Sequence, residues 1–510
     1  MLRIRLGADD FSSRPLWLQQ GDESSNPVWL SLKGAYVVAA SEAETVRNRY
    51  GQNTYVDLVS LVIREEFDGA EQARRLAAAY DAEVVGAIEP LNLYQLRLPV
   101  DNLDARDALV LRLWGELSVA GVVIEESSPE QPLGDEERVR SQPPDNREWA
   151  ANRFLEAVEL YRRHNLGPGE GAARHPVRIG VIERNIDFDT PDFSTYVGDC
   201  RAQWPRLCVY ARDASEPSGH GTAVTGVIAA VWGQGGNSGF LRGLEGAAPG
   251  FEVIVDRNSN GGLTANIAAT VNLIRDGARV VNWSWGIHRV GAIDIDGEEV
   301  ASLTRSGEAM RGYRVLLERF LNWLESEYPD VVIVNSAGNA SFFAGRSDYR
   351  LPSSFFHDQL IVVGGHEVSD AELSRRDPDH VARRSASSLG MRVDISAAAC
   401  MRGTSLEPDE RGDRRCGTSF STPLVGALLA ALLSIDDSLT PMQLRGILRR
   451  TSLTIGDPVH FGSVDEYHLT APILPSERPG DPADPDIGRS ARLDMYSALR
   501  LVLEKAEQHD

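Results

Sequence analysis

The spacing of hydrophobic positions changes along the chain and divides it into segments. Residues 55–126 alternate as strand, helix, strand, helix, strand, and the first helical stretch carries its apolar residues on one face. This order predicts most of a small ferredoxin-like α+β domain. Residues 1–54 contain only short strand-like runs, VWLSL and AYVVAA, so we assign them as an N-terminal extension of unknown role.

The pattern changes again after this small domain. Residues 127–146 are rich in proline and charge and lack any apolar period, which indicates an exposed linker. From 147 to 510, strands that are apolar along their whole length alternate with helical stretches. Such alternation predicts an α/β domain whose parallel sheet is covered by helices on both faces.

Length and charge narrow the classes of partner. A chain of 510 residues is too long for a single core, so at least two domains are expected. The net charge of −22 argues against nucleic acid and against an anionic membrane surface, because both require a basic face. We expect neither as a partner.

The sequence also suggests a cellular compartment. The N-terminal residues lack the apolar core of a signal peptide, and no segment is expected to span a membrane, so a cytoplasmic location is predicted. The four cysteines, Cys200, Cys208, Cys400 and Cys416, match no zinc motif. In a reducing compartment we expect them to be free thiols.

Four polar residues stand where an apolar strand ends or an apolar helix begins. Glu183 and Asn339 follow strands, whereas His220 and Ser419 lie at predicted helix starts. Each alone has an ordinary structural explanation, such as a strand reaching the surface, a turn or a helix cap. Together they are notable, because open parallel sheets gather their ligand sites at this edge.

The segments around these residues resemble those of the subtilisin-like serine proteases, the subtilase or peptidase S8 family. HGTAVTGVIAA, which begins at His220, resembles the family segment HGTHVAG, and GTSFSTPLVG, which contains Ser419, resembles GTSMATPHVAG. SAGN, which ends at Asn339, resembles the segment that supplies the oxyanion-hole Asn. The order acid, His, Ser along the chain is also the subtilisin order.

VIERNID resembles the acid segment of the family, V-I-D-x-G-I-D, with one important difference. Glu183 takes the place of the catalytic Asp, and Asn185 takes that of a Gly, while Asp187 matches an acidic position outside the triad. The resemblance implies that Glu183 orients His220, which takes the proton of Ser419. Asn339 and the Ser419 amide would hold the oxyanion.

The resemblance implies further features. VVNWSWG resembles the strand end that lines the substrate cleft, which makes Ser284, Trp285 and Gly286, together with Gly262, candidate substrate-binding residues. Residues 55–126 resemble the ferredoxin-like prosegment that assists folding and inhibits the enzyme. No cofactor is needed for the chemistry, but Asp192 and the glycine-rich run 235–240 resemble a structural calcium site.

The sequence leaves three functional hypotheses. The leading one is a serine endopeptidase made as an autoinhibited zymogen, whose partners are a protein or peptide substrate and its own prosegment. The alternative is a catalytically silent subtilase fold that binds peptides or regulates a partner, since the usual Asp is missing. The third, a nucleotide-binding α/β protein, is disfavoured because the chain has no P-loop and no G-x-G-x-x-G after a strand.

Overall fold

The structure is a computed structural model of the chain. It describes residues 13–21, 23–31, 34–38, 42–127, 147–165, 177–183, 185–200, 207–211, 219–233, 238–244, 250–256, 262–294, 296–300, 304–342, 350–402, 414–458, 460, 471–477 and 484–509. The predicted linker, apart from Ser127, lies outside these ranges.

The small domain is built from four long strands and two helices. These are β1 (Asn53–Ile63), α1 (Gly69–Ala79), β2 (Glu83–Ile88), β3 (Leu93–Arg97), α2 (Leu103–Trp114) and β4 (Val119–Ser127). The strands form an antiparallel sheet in the order β2-β3-β1-β4, and the strand Thr45–Arg47 pairs with the start of β1. The chain therefore completes the β-α-β-β-α-β order of a ferredoxin-like unit.

The order of elements predicted from the sequence for this domain did not include β2. The segment EVVGAI is short, and its register with β3 shifts between Val84 and Gly86, so it has no clear two-residue period.

Both helices of the domain begin at side-chain caps, where Asp68 accepts from the Glu71 amide and Asn102 from the Ala105 amide.

The second domain alternates strands and helices, as the sequence predicts. Its main elements are α3 (Phe154–Asn165), β5 (Val177–Ile182), β6 (Leu207–Ala211), α4 (Gly219–Ala229), β7 (Phe251–Asp256), α5 (Leu263–Arg275), β8 (Ala278–Trp283), α6 (Gly307–Glu327), β9 (Val332–Ser336), β10 (Leu360–Val368), β11 (Ile395–Ala398), α7 (Thr418–Ile435), α8 (Pro441–Arg450), β12 (Leu453–Ile455), β13 (Ser490–Arg492) and α9 (Met495–His509).

These strands form one sheet in the order β6-β7-β5-β8-β9-β10-β11-β13-β12. All neighbours are parallel except β12, which runs antiparallel to β13. From β5 the chain passes to the outer strand β6, returns to β7 beside β5, and then resumes on the other side of β5 with β8. This reversal at the centre of the sheet is where α/β proteins place ligand sites.

Helices cover both faces of the sheet. A Cβ added to Gly180 of β5 would lie 2.8 Å from the Leu273 side chain of α5, so this face of β5 contacts α5. Gly426 of α7 faces Val280 of β8, which is in register with Ile179 and therefore points to the opposite face. The predicted fold class, a parallel-sheet α/β domain covered on both faces, is confirmed.

Helix α7 is the most apolar helix of this domain. Within the described part of the chain it is the one helix with the length and apolarity to cross a membrane, and all of its residues are buried. It packs against five central strands of the sheet, from β5 to β11. This packing identifies α7 as a core helix.

The cysteines form two disulfides, Cys200–Cys208 and Cys400–Cys416. The expectation of free thiols was therefore wrong. Cys400 and Cys416 are opposite each other in an antiparallel strand pair, Cys400–Arg402 with Arg414–Cys416, which the sequence spacing does not reveal. The second disulfide lies directly before Gly417, where α7 is about to begin.

The N-terminal extension contacts both domains. Its strands Arg14–Leu16 and Val28–Leu30 pair with each other, and the second continues the large sheet beyond β6. Trp29 is buried and donates to Asp276 at 3.0 Å. The VWL strand is present as predicted, whereas in AYVVAA Tyr36 forms only an isolated bridge to Ala87 of β2.

Candidate active site

Glu183 and His220 meet at the carboxyl end of β5. Glu183 directly follows this strand, and its amide donates to the Asp256 carbonyl at 2.9 Å, which extends the pairing with β7. Its side chain is 4% exposed, and Oε2 lies 2.9 Å from Nδ1 of His220, the second residue of α4. Because a carboxylate accepts hydrogen bonds, Nδ1 carries the proton and Nε2 is the nitrogen that can take one.

His220 lies beside the start of α7. Helices α4 and α7 pack together, and the His220 ring is 5.9 Å from the Phe420 ring between centroids. Phe420 directly follows Ser419 in the first turn of α7. The two predicted helix-start residues, His220 and Ser419, are thus brought to one place.

The Ser419 hydroxyl donates to the Ser284 carbonyl at 3.3 Å rather than to the His220 ring. In return, the Ser284 hydroxyl donates to the Ser419 carbonyl at 2.8 Å. Pro423 makes this second bond available, because it has no amide to donate to the carbonyl four residues earlier. The reciprocal bonds join the end of β8 to the start of α7.

The Asn339 side chain is held by Thr418. Its Oδ1 accepts from the Thr418 amide at 2.8 Å and from the Thr418 hydroxyl at 3.0 Å. The same hydroxyl accepts from the Gly338 amide at 3.1 Å. With its oxygen engaged, Asn339 has its Nδ2 as the group that can donate to a substrate. The first amides of a helix also lack intrahelical acceptors, and the Ser419 amide is one of these.

The candidate substrate-binding residues lie around this site. Ser284, Trp285 and Gly286 follow β8, and the buried Trp285 ring packs 5.0 Å from that of Trp283. Gly262 directly precedes α5 and has a φ of 92° that favours glycine. The role of these four residues in substrate binding stays a prediction.

The calcium hypothesis rests on residues that are only partly described. Asp192 is buried, but residues 235–237 of the glycine-rich run lie outside the described ranges. The described residues include no cluster of three or more His, Cys, Asp or Glu side chains suited to a metal ion.

The profile of the Subtilase family, peptidase S8, matches residues 175–478, which is more than half of the chain. This chain belongs to the subtilase family. The match includes every candidate catalytic residue, from Glu183 to Ser419. The family accounts for the arrangement of acid, His and Ser at one edge of a parallel sheet.

Individual relatives agree with this assignment. Subtilisin DY of Bacillus licheniformis is 23% identical over 287 residues, which cover 56% of this subtilase and 87% of subtilisin DY. Fervidolysin of Fervidobacterium pennivorans is 16% identical with a TM-score of 0.52, and the match covers 92% of this chain but only 63% of fervidolysin. The epidermin leader peptide processing serine protease of Staphylococcus aureus is 16% identical with a TM-score of 0.54, over 87% of this chain and 98% of that one. These solved structures support the fold alone.

The small domain of this subtilase caps two helices of the peptidase domain. Glu125 at the end of β4 accepts from the Leu263 and Thr264 amides at 2.8 and 2.9 Å, at the start of α5. Glu126 accepts from the Ser306 amide at 2.7 Å and from its hydroxyl at 2.8 Å, just before α6. Carboxylates at helix starts are favourable because they meet free amides and the positive end of the helix dipole.

This contact also involves Gly262. The Glu125 carboxylate lies so close to Gly262 that any Cβ there would overlap with it. Burial raises the pKa of Glu125, although the two amide bonds act in the opposite direction. The sequence analysis missed Glu125 and Glu126, yet the signal was present: the apolar strand GVVI ends on carboxylates, as β5 ends on Glu183.

A third missed residue is Arg350, which is buried between the segments that contain Gly286 and Gly338. Burial lowers its pKa to about 9. In the sequence it stands among polar residues before Leu351 and Pro352, a context that indicates an exposed loop. No pattern in the sequence distinguishes it from a surface arginine.

Proposed function

We propose that this subtilase is a serine endopeptidase that uses Glu183, His220 and Ser419 as its catalytic triad. The observation that carries the proposal is the 2.9 Å contact between the buried Glu183 carboxylate and Nδ1 of His220, beside the start of α7. An ordinary surface carboxylate at a strand end has no reason to be buried against a histidine ring.

The reaction uses Nε2 of His220, the ring nitrogen that can accept a proton. Oγ of Ser419 attacks the substrate carbonyl carbon while its proton passes to Nε2 of His220, and Glu183 stabilises the imidazolium that forms. The carbonyl oxygen becomes an oxyanion that accepts hydrogen bonds from Nδ2 of Asn339 and the Ser419 amide. His220 then protonates the leaving amine, and water hydrolyses the acyl-enzyme with His220 as base.

Before this step the Ser419 hydroxyl must leave the Ser284 carbonyl. The two groups are 3.3 Å apart, so the hydrogen bond is long and weak. Rotation about the Ser419 Cα–Cβ bond is enough to redirect Oγ. Catalytic hydrogen bonds are often formed only when substrate is bound.

We also propose that the protein is made as an autoinhibited zymogen with residues 55–126 as its prosegment. The support is that Glu125 and Glu126 cap α5 and α6, the two helices that β4 covers. Cleavage between residues 127 and 146 would free the small domain from the chain of the peptidase domain. The substrates are proteins or peptides, as expected for the family.

The cytoplasmic location stays a prediction. The two disulfides argue against it, because disulfides persist mainly in oxidising compartments. Calcium dependence can be measured directly on the purified protein, and location can be measured by fractionating the cells that produce it.

The experiment that tests the function is labelling with a fluorophosphonate probe. Once cleavage between residues 127 and 146 has released the small domain, we expect rapid modification of the parent and of Ser421→Ala, and no modification of Ser419→Ala. Ser421 is a matched control, because it lies in the same turn of α7 but its hydroxyl donates to the Ala397 carbonyl at 3.1 Å. Absence of labelling in a folded parent would instead favour the silent, peptide-binding alternative.

A further inference from the structure

Arg350 is a buried cation at the edge of the candidate cleft. It begins the short strand Arg350–Leu351, which pairs with Ile287–Arg289 just after Gly286. The residue is 3% exposed. Its guanidinium occupies space that a side chain at position 286 or 338 would need: a Cβ on Gly338 would be 2.8 Å from Nε, and one on Gly286 would overlap with the guanidinium.

The hydrogen bonds of Arg350 are few and go to neutral groups. Nη1 donates to the Ser336 carbonyl at 2.6 Å and to the Ser353 hydroxyl at 2.7 Å, and Nη2 donates to the Ser336 hydroxyl at 3.2 Å. Nε has no hydrogen-bond partner in the part of the chain that the structure describes. A guanidinium has five N–H donors, so two remain unused after these three bonds.

Arg392 and Arg492, which are buried as deeply as Arg350, are satisfied. Arg392 pairs with Asp394 at 2.9 Å. Arg492 has no such ion pair, but all three of its nitrogens donate to backbone carbonyls. Arg350 has neither a carboxylate among the described residues nor a full set of acceptors. A buried charge without a partner is costly, so a ligand that supplies the missing acceptors would bind strongly.

The position of Arg350 relative to the reacting atoms indicates which ligand this is. Two glycines link the guanidinium to the reacting atoms: Gly338 directly precedes Asn339, and Gly286 lies two residues after Ser284, whose carbonyl accepts from the Ser419 hydroxyl. Ser284 contacts Ser419 through two hydrogen bonds, and Ser336 holds the Arg350 guanidinium. With the substrate carbonyl at Ser419 Oγ and its oxygen at Asn339 Nδ2, a substrate side chain that entered between the segments 284–286 and 336–339 would reach Arg350.

We propose that Arg350 determines the cleavage preference, by binding the side-chain carboxylate of a glutamate or aspartate on the amino side of the scissile bond. A carboxylate offers the planar pair of acceptors that suits the guanidinium fork. The substrate class is then acidic peptides cut after their acidic residue. This inference rests on the proposed peptidase function.

The test, and the measurements that follow, use the full-length protein after cleavage between residues 127 and 146 has released the small domain. The peptide substrates differ only at this residue, which is Glu, Gln or Leu. We expect kcat/KM for Glu to exceed that for Gln by about 10²-fold, because Gln cannot pair with the buried charge. In Arg350→Met, a side chain of similar length without charge, the ratio should fall to about one. Equal rates for Glu and Gln in the parent would overturn the proposal, whatever happens to the variant.

Two further measurements separate the possible failures. Fluorophosphonate labelling does not depend on the peptide residue, so labelled Arg350→Met is folded and has a competent Ser419. If that variant fails to fold, Arg350→Lys keeps the charge without the fork and should retain only part of the preference.

Binding supplies a readout that does not require turnover. Peptides that end in Glu should bind the Ser419→Ala protein about 10²-fold more tightly in calorimetry than peptides that end in Gln. Preferential binding without cleavage in the parent would support the acidic site and reject the peptidase function. Cleavage without a preference for Glu would support the peptidase function and reject the acidic site. If the protein neither bound nor cleaved these peptides, both proposals would be rejected.

Discussion

Oε2 of Glu183 lies 2.9 Å from Nδ1 of His220, while Oε1 is buried without a hydrogen-bond partner in the described structure. The carboxylate is therefore held at the ring by one oxygen, and its interaction is directed at the histidine. Replacing Glu183 with Gln keeps the size but removes the charge that stabilises the imidazolium. We expect turnover to fall by about 10⁴-fold, as for the comparable change in the chymotrypsin-type triad.

Glu183→Asp and Asp187→Asn serve as matched comparisons in the same peptidase assay. Asp at 183 keeps the charge but is one methylene shorter, so its rate should lie between those of the parent and Glu183→Gln. Asp187 accepts from the Asp189 amide rather than from the ring, so Asp187→Asn should remain active. A Glu183→Gln variant as fast as the parent would mean that Glu183 does not orient His220.

The sequence predicted the residues whose position depends on local structure. Glu183 stands where an apolar strand ends, and His220 and Ser419 stand where apolar helices begin, so their elements could be recognised from hydrophobic spacing and motif. Arg350 could not be recognised in this way. Its burial depends on Gly286 and Gly338, which follow β8 and β9. These two glycines come together only when β8 and β9 pair.

The same reason explains the other differences. Cys400 and Cys416 are 16 residues apart in sequence but opposite each other in a strand pair. Strand β2 has an irregular register that hides its period. Each of these features depends on pairing between segments that are distant in sequence. The features that were predicted depend only on the residues within one segment.

Asn339 and Thr418 allow the oxyanion hole to be tested in two steps. Asn339→Ala removes the Nδ2 donor, so we expect kcat to fall about 10²- to 10³-fold with little change in KM. Thr418→Val keeps Nδ2 but removes the hydroxyl that bridges Asn339 and the Gly338 amide. A loss of about tenfold is expected, because one orienting hydrogen bond contributes on the order of 1 kcal/mol.

Thr418→Ser is the control for this prediction, since it keeps the hydroxyl and should retain most of the activity. Steady-state kinetics on one peptide substrate measures all three variants. If Asn339→Ala raised KM and left kcat unchanged, Asn339 would be a binding residue for the ground state instead.

The two disulfides predict the thiol content of the protein. Unfolded without a reductant, the chain should give no reaction with a thiol reagent, and after reduction it should give four thiols, Cys200, Cys208, Cys400 and Cys416. The measurement is best made on protein from both reducing and oxidising expression hosts. Four reactive thiols in protein that is active and never exposed to reductant would contradict the pairing and favour the cytoplasmic location.

Glu125 predicts how docking of the small domain depends on pH. Burial against α5 raises its pKa above the ordinary value of 4.5. A group whose pKa is raised by docking binds its proton more tightly when docked, so its contribution is fully present below the free pKa. That contribution is lost as the pH rises through the docked pKa. The docked state should therefore be more stable in mildly acidic than in neutral solution.

Thermal unfolding of the full chain between about pH 4.5 and pH 7.5 measures this effect, in a Ser419→Ala background that prevents self-cleavage. Glu125→Gln stays neutral throughout and still offers one oxygen to the Leu263 and Thr264 amides. The difference in melting temperature between Ser419→Ala and its Glu125→Gln derivative isolates Glu125, because the other titrating groups are common to both. We expect the protein with Glu125 to have the higher melting temperature at low pH, and this advantage should shrink or reverse toward neutrality. A difference in melting temperature that does not change with pH would show that docking leaves the Glu125 pKa unaltered.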